Sequence, residues 1–117
     1  MTSGDQFPHL TFTAADHQVL VVRVTSDHLE LDEAQSLLRL IFESSTGQAP
    51  NILLNLAGVR YINSTGVSLL VRIGTERVLR VVNLNPSVVK VLDSIGILSL
   101  LKIHRSEREA MEAFART

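Results

Sequence analysis

The run Tyr61-Ile62-Asn63-Ser64-Thr65-Gly66-Val67 places an amide, two hydroxyls and a glycine directly ahead of an apolar segment. Those residue types in that order suit the entrance of a helix, where backbone N–H groups stand open and the helix dipole presents its positive end. A hydroxyl there is accessible, and a phosphate placed on it is accepted by the same N–H groups. Phosphorylation at such a point adds about −1.5 to −2 charges without unfolding the helix, and so repels any partner fitted to a neutral surface. A purely structural account fits the same residues. Asn63 or Ser64 caps the helix, Thr65 fills its first turn and Gly66 allows a neighbouring backbone to come close.

Other chemistry finds little support. His9, His17, His28 and His104 share no helix face and stand at no metal-ligand spacing such as HExxH, so no metal site is expected. The absence of cysteine removes disulfides, thiolate zinc sites, iron–sulfur clusters and a cysteine nucleophile, and is consistent with a reducing cytoplasm. Ser64 lacks a GxSxG setting and has no His and acid pair to activate it. Neither a GxxxxGK[ST] nor a GxGxxG motif is present to cradle a nucleotide. A protein with no catalytic residues and no cofactor is the expectation. Arg60, Arg72, Arg77 and Arg80 form the densest basic group and read as a solvated rim. A formal charge of −1 supplies no global field to hold nucleic acid.

The elements that must position the Asn63–Val67 run follow from periodicity. Thr11 to Thr13 and Val19 to Val24 read as two strands of an antiparallel hairpin, with the turn-like AADHQ between them. Ala34, Leu37, Leu38, Ile41 and Phe42 mark an amphipathic helix opened by Asp32 and Glu33 and ended by Gly47. Ile52 to Leu56 suits a central strand buried on both faces. A helix of about ten residues follows from Ser64 to Ile73, with Gly74 as its stop. Val78 to Leu84 is the next strand. Asn85-Pro86 starts a third helix through Val88, Val91, Leu92 and Ile95, closed by Gly96. Leu98 to Ile103 reads as the last strand, and Ser106-Glu107-Arg108-Glu109 has the capping-box spacing that opens a terminal helix with Ala110, Ala113 and Phe114 inward.

The order ββαβαβαβα implies an α/β fold: a mostly parallel sheet with an N-terminal antiparallel hairpin and right-handed crossovers, its helices packed on the sheet. At 117 residues, 45% of them hydrophobic and 20% charged, the chain fits one soluble domain. Its core is aliphatic, for there are four Phe, one Tyr and no Trp. No basic start followed by an apolar run opens the sequence, and no stretch approaches the ~20 apolar residues of a membrane span.

Two segments, ILLNLAGVRYINSTGVSLLV and LNPSVVKVLDSIGILSLLKIHRSEREAMEAF, resemble the STAS family, typified by the anti-sigma-factor antagonists of sporulation and stress response in Bacillus-type bacteria. The resemblance spans nearly the whole chain. It implies one STAS-like domain over 1–117, with 1–9 as a flexible N-terminus. In the family, the serine directly after an aspartate is phosphorylated by a kinase that doubles as an anti-sigma factor. That position corresponds to Ser64, with Thr65 as the alternative acceptor and Gly66 as the family glycine. Asn63 departs from the pattern: it keeps the capping ability of the family's aspartate and loses the charge.

The family's Gly-Glu-Leu-Asp turn reads Asp27-His28-Leu29-Glu30 here, and the helix after Ser64 reads several residues short. The resemblance implies partner switching in the cytoplasm. Asn63, Ser64, Thr65, Gly66 and Val67 would form the surface that meets an anti-sigma serine kinase, a metal-dependent serine phosphatase would reverse the modification, and a weak homodimer stays open. The alternative, which Asn63 favours, is a non-phosphorylated scaffold subunit of a signalling or transporter assembly.

Overall fold

The computed structural model describes residues 7–116. Seven strands and four helices follow one another: β1 (Leu10–Ala15), β2 (Val19–Val24), β3 (His28–Leu29), α1 (Leu31–Leu38), β4 (Asn51–Asn55), β5 (Tyr61–Ile62), α2 (Ser64–Glu76), β6 (Val78–Val82), α3 (Pro86–Ser94), β7 (Lys102–His104) and α4 (Glu107–Ala115). The main sheet has the order β1-β2-β4-β6-β7, with β1 antiparallel to β2 and every later neighbour parallel. A separate two-stranded parallel ribbon pairs His28 with Tyr61 and Leu29 with Ile62.

Side-chain alternation along the strands builds a core on each face of the sheet. Leu20 and Val22 of β2, Ile52 and Leu54 of β4, and Leu79 and Val81 of β6 pack with Ala34 and Leu37 of α1, Leu70 and Ile73 of α2, and Val88 and Leu92 of α3. Val19, Val21, Leu53 and Val82 point the other way and meet Ala110 and Phe114 of α4. Each Leu or Ile removed from water in this way contributes roughly 1.5–3 kcal/mol. Strand β4 carries core residues on both faces, as its uninterrupted apolar run implies. The strand order never reverses, so the parallel sheet has no switch point of the kind that opens a ligand crevice.

Helix α4 is tied down at its first turn. The Glu107 carboxylate accepts two hydrogen bonds from Arg23, at 2.8 and 2.7 Å, and one from Asn55 at 2.6 Å. Ser106 caps the helix by accepting from the Glu109 N–H at 3.1 Å, while Glu109 itself accepts from the Arg105 N–H.

Several element ends differ from the sequence expectation. Helix α1 begins at Leu31, one residue before Asp32, because the Glu30 N–H is satisfied by the Glu33 carboxylate at 3.1 Å. It passes into a π-helical turn over Arg39–Glu43, where the displaced carbonyls find other donors: Ser44 Oγ donates to Leu40 O and Arg77 to Ile41 O. Gly47 lies beyond this end, in a 3-10 turn, and does not stop the helix. A Cβ at Gly47 would run into Leu40 O and stand 2.5 Å from Ile41 Cα, so its task is close approach.

Gly74 does not stop α2 either. The helix continues to Glu76, is 13 residues long where about ten were expected, and ends where Arg77 turns extended toward β6. Strand β6 stops at Val82, two residues early, ahead of Asn83 at φ 60°. Leu98–Leu100 form a 3-10 turn, which leaves β7 only three residues. Most of the segment expected to be flexible, residues 1–6 of 1–9, lies outside the described residues. Within the remainder, Phe7 is buried edge-on against the Phe12 ring, at 5.7 Å between centroids.

Candidate functional site

The Asn63–Val67 run sits where β5 hands over to α2. Asn63 is the N-cap, in extended conformation, and its Oδ1 accepts from the Gly66 N–H at 3.2 Å. Ser64 and Thr65 are therefore the first two helical residues. Both are exposed, and their amides have no acceptor within the helix. Of the two capping candidates, Asn63 fills the role and the Ser64 hydroxyl is left over. Val67 is half-buried against the core, and its N–H donates to Asn63 O at 3.0 Å.

Gly66 explains how this exposed lip is held. It is buried against β3: a Cβ here would collide with Leu29 O, and would lie 2.9 Å from Ile62 Cγ1 and 3.1 Å from Leu29 Cγ. The ribbon β3–β5 thus clamps the first turn of α2 from one side. A backbone carbonyl completes the clamp, since Asp27 O accepts from the N–H groups of both Arg60 and Tyr61, at 2.7 and 3.1 Å.

Around Ser64 the surface is apolar in places. Leu31 is 56% exposed and Tyr61 60% exposed. Between α1 and α2 runs a groove of about 310 Å³ lined by Leu31, Ala34, Leu38, Thr65, Leu69 and Arg72 among others. Thr65 therefore faces both solvent and this groove.

A charged cluster that sequence reasoning missed lies behind β3. Glu33 is buried, yet its carboxylate is ionised in a web of partners: the Glu30 N–H at 3.1 Å, His28 Nε2 at 3.0 Å and His9 Nδ1 at 4.0 Å. Burial pushes its pKa up, but hydrogen bonds from the Glu30 and Glu33 backbone and from Ser26, with the charge of His28, outweigh this and hold it below the usual range. His28 is shifted upward from 6.5: its hydrogen bond to Asp27 at 2.7 Å raises it most, desolvation opposes this, and the charges of Glu33, Asp27 and Glu30 add to the rise. The capping-box spacing Glu30-x-x-Glu33 was the available signal for this cluster.

Among the described residues, no group of three His, Cys, Asp or Glu side chains is placed to hold a metal ion. The arginine group is a solvated rim only in part: Arg60 and Arg72 are exposed, whereas Arg77 and Arg80 are half-buried. Arg72 and Arg77 both lie over the Phe42 ring, at 4.1 and 5.2 Å, and Arg80 lies over Phe114 at 5.0 Å, so three of the four are spent on aromatic faces. Arg80 also stands 3.0 Å from His104 Nε2; His104 is depressed below 6.5, by burial first and then by that neighbouring cation. No helix among the described residues is long and apolar enough to cross a membrane.

A family model described as the STAS domain matches residues 13–110. The fold is similar to that of TM1081 from Thermotoga maritima, with TM-score 0.76, 22% identity, and coverage of 94% of this chain and 97% of that one. An anti-sigma factor antagonist from Mycobacterium paratuberculosis superposes with TM-score 0.72 at 21% identity, over 98% of this chain and 99% of that one. The anti-sigma factor antagonist SpoIIAA in its unphosphorylated form gives TM-score 0.71 at 18% identity, over 92% and 97%. A search of curated proteins returned no match. The matched segment includes every residue from the β2 strand through the Asn63–Gly66 turn to the first residues of α4, and the chain belongs to the STAS domain family.

Proposed function

We propose that this chain is an anti-sigma-factor antagonist that acts by partner switching, with Ser64 as the phosphoacceptor. The observation that carries the reading is the division of labour at the entrance of α2. Asn63 supplies the cap and Gly66 the packing, which leaves the exposed Ser64 hydroxyl with no structural task. The unphosphorylated surface, from Asn63 to Val67 with Tyr61 and Leu31 beside it, binds an anti-sigma serine kinase in the cytoplasm. Transfer of a phosphoryl group from ATP to Ser64 ends that complex, and a metal-dependent serine phosphatase restores it. The chain contributes no catalysis of its own.

The physical basis is the helix terminus. A phosphate on the first helical residue meets the open Ser64 and Thr65 amides and the positive dipole end, so the fold tolerates it. A partner closed over the same apolar surface does not, because desolvating a dianion is costly. Asn63 in place of aspartate removes a negative charge beside Ser64, so the unmodified site is less acidic than that of typical relatives. The test is incubation with the anti-sigma kinase and ATP, followed by mass spectrometry. Phosphate on Ser64 is expected; a complex with the kinase that leaves the chain unmodified would favour the scaffold role.

A further inference from the structure

We propose that Asp27, His28 and Glu33 form a proton-sensitive brace that positions the loop ending at Ser64. Its consequence for partner binding rests on the phosphoacceptor reading, whereas the brace itself stands on geometry alone.

The groups facing His28 come from three segments. Ser26 and Asp27 lie in the turn before β3, with Ser26 Oγ 3.3 Å and Asp27 Oδ1 2.7 Å from Nδ1. Glu30 caps α1, and Glu33 in its first turn lies 3.0 Å from Nε2. His9, ahead of β1, reaches the same Glu33 oxygen at 4.0 Å. The imidazole thus joins one buried and one exposed carboxylate, and only the imidazolium donates to both at once.

The loop is joined to this cluster through the backbone. Asp27 O receives the N–H groups of Arg60 and Tyr61, His28 and Leu29 pair with Tyr61 and Ile62, and Leu29 O abuts Gly66. When His28 loses its proton, the side chain can no longer donate to both Glu33 and Asp27. The Asp27–Leu29 segment is then held less firmly, and with it the other wall of the ribbon.

The direction follows from linkage. A histidine raised above 6.5 contributes stability that is complete below 6.5 and is lost as pH rises through its folded pKa. Glu33, lowered from 4.5, contributes stability above 4.5 that is lost as pH falls through its own folded value. The brace is therefore tightest between those limits, and it loosens on the alkaline side where His28 titrates.

Amide hydrogen exchange by NMR tests this on the isolated chain, without a kinase. After correction for intrinsic base catalysis, the opening of the Arg60 and Tyr61 amides is expected to rise roughly two- to five-fold as His28 deprotonates, the range that partly exposed ion pairs produce. The Ile97 amide, bonded to Leu92 O on the far side of α3, should show no such step. His28→Gln should abolish the step, Asp27→Asn should move its midpoint to lower pH, and His9→Gln should leave it in place. A step that survives His28→Gln, or one shared equally by Ile97, overturns the brace. Phosphorylation of Ser64 assayed in the same buffers separates the two ideas: an exchange step with no phosphorylation at any pH supports the brace and refutes the kinase reading.

Discussion

Two glycines in one helix give the sharpest prediction about the site. Replacing Gly by Ala inside a helix ordinarily gains up to about 1 kcal/mol, because alanine loses less backbone entropy. At Gly74 the new methyl would find only Leu79 Cδ2, at 3.9 Å, an ordinary contact. Gly74→Ala should therefore stabilise the protein by roughly 0.5–1 kcal/mol. At Gly66 the same methyl would strike the Leu29 carbonyl, with Ile62 Cγ1 at 2.9 Å and Leu29 Cγ at 3.1 Å.

The Leu29 carbonyl is main chain, fixed in β3 by pairing with β5, and has no rotamer in which to retreat. Overpacking of this kind costs about 1–3 kcal/mol, more than the propensity gain. Gly66→Ala should be destabilising on balance; the helix gain is common to both variants, so they should differ by the overpacking cost, roughly 1–3 kcal/mol, or about 5–15 °C in Tm for a chain of this size. Gly66→Val, with two further carbons, should be worse still. Urea titration of both alanine variants at one pH measures the difference. Equal stabilities, or Gly66→Ala the more stable, would show that the clamp of β3 on α2 is not tight and would refute the packing argument.

At the cap, Asn63→Ala should cost about 1 kcal/mol in thermal or urea unfolding, whereas Ser64→Ala should stay within about 0.5 kcal/mol, because Ser64 is the first helical residue and not the cap. Ser64→Asp should fold normally, its charge favoured by the dipole, and should bind the kinase at least about tenfold more weakly than Ser64→Ala by calorimetry; equal affinities would place Ser64 outside the interface. On the opposite face of the sheet, burial alone would raise the Glu107 pKa, but the Arg23 and Asn55 hydrogen bonds hold it below 4.5. Stability from this group is present above 4.5 and lost as pH falls through its folded value, so Glu107→Gln should flatten the acid limb of the stability curve; an unchanged limb would contradict the linkage.

The parts of this molecule that repeat were legible before the structure, and the parts that do not were missed. The alternating β2 strand, the buried β4 run and the Asn85-Pro86 helix start each carry several residues that agree with one another. The β3–β5 ribbon contains two residues per strand, too few for a period to show, and it is defined by partners more than thirty positions apart. Gly47 and Gly74 read as helix stops because glycine often plays that part, but at Gly47 the decisive fact is a close tertiary approach of backbone, and at Gly74 a Cβ would meet only Leu79 Cδ2 at an ordinary 3.9 Å. The choice between Asn63 and Ser64 as cap needed one hydrogen bond to settle. Glu33 and His28 were overlooked because the side chains meet across a strand and a helix, although Glu33 stood at capping-box distance from Glu30.

The most direct test of the functional account is the effect of phosphate at Ser64 on the complex with the anti-sigma kinase. The chain should be phosphorylated with that kinase and ATP, the site mapped, and the affinity of each form measured by titration. Phosphate on Ser64 alone is expected, with at least about a tenfold loss of affinity, equivalent to about 1.4 kcal/mol. Phosphate confined to Thr65, or a Ser64 phosphate that leaves the affinity unchanged, would contradict it.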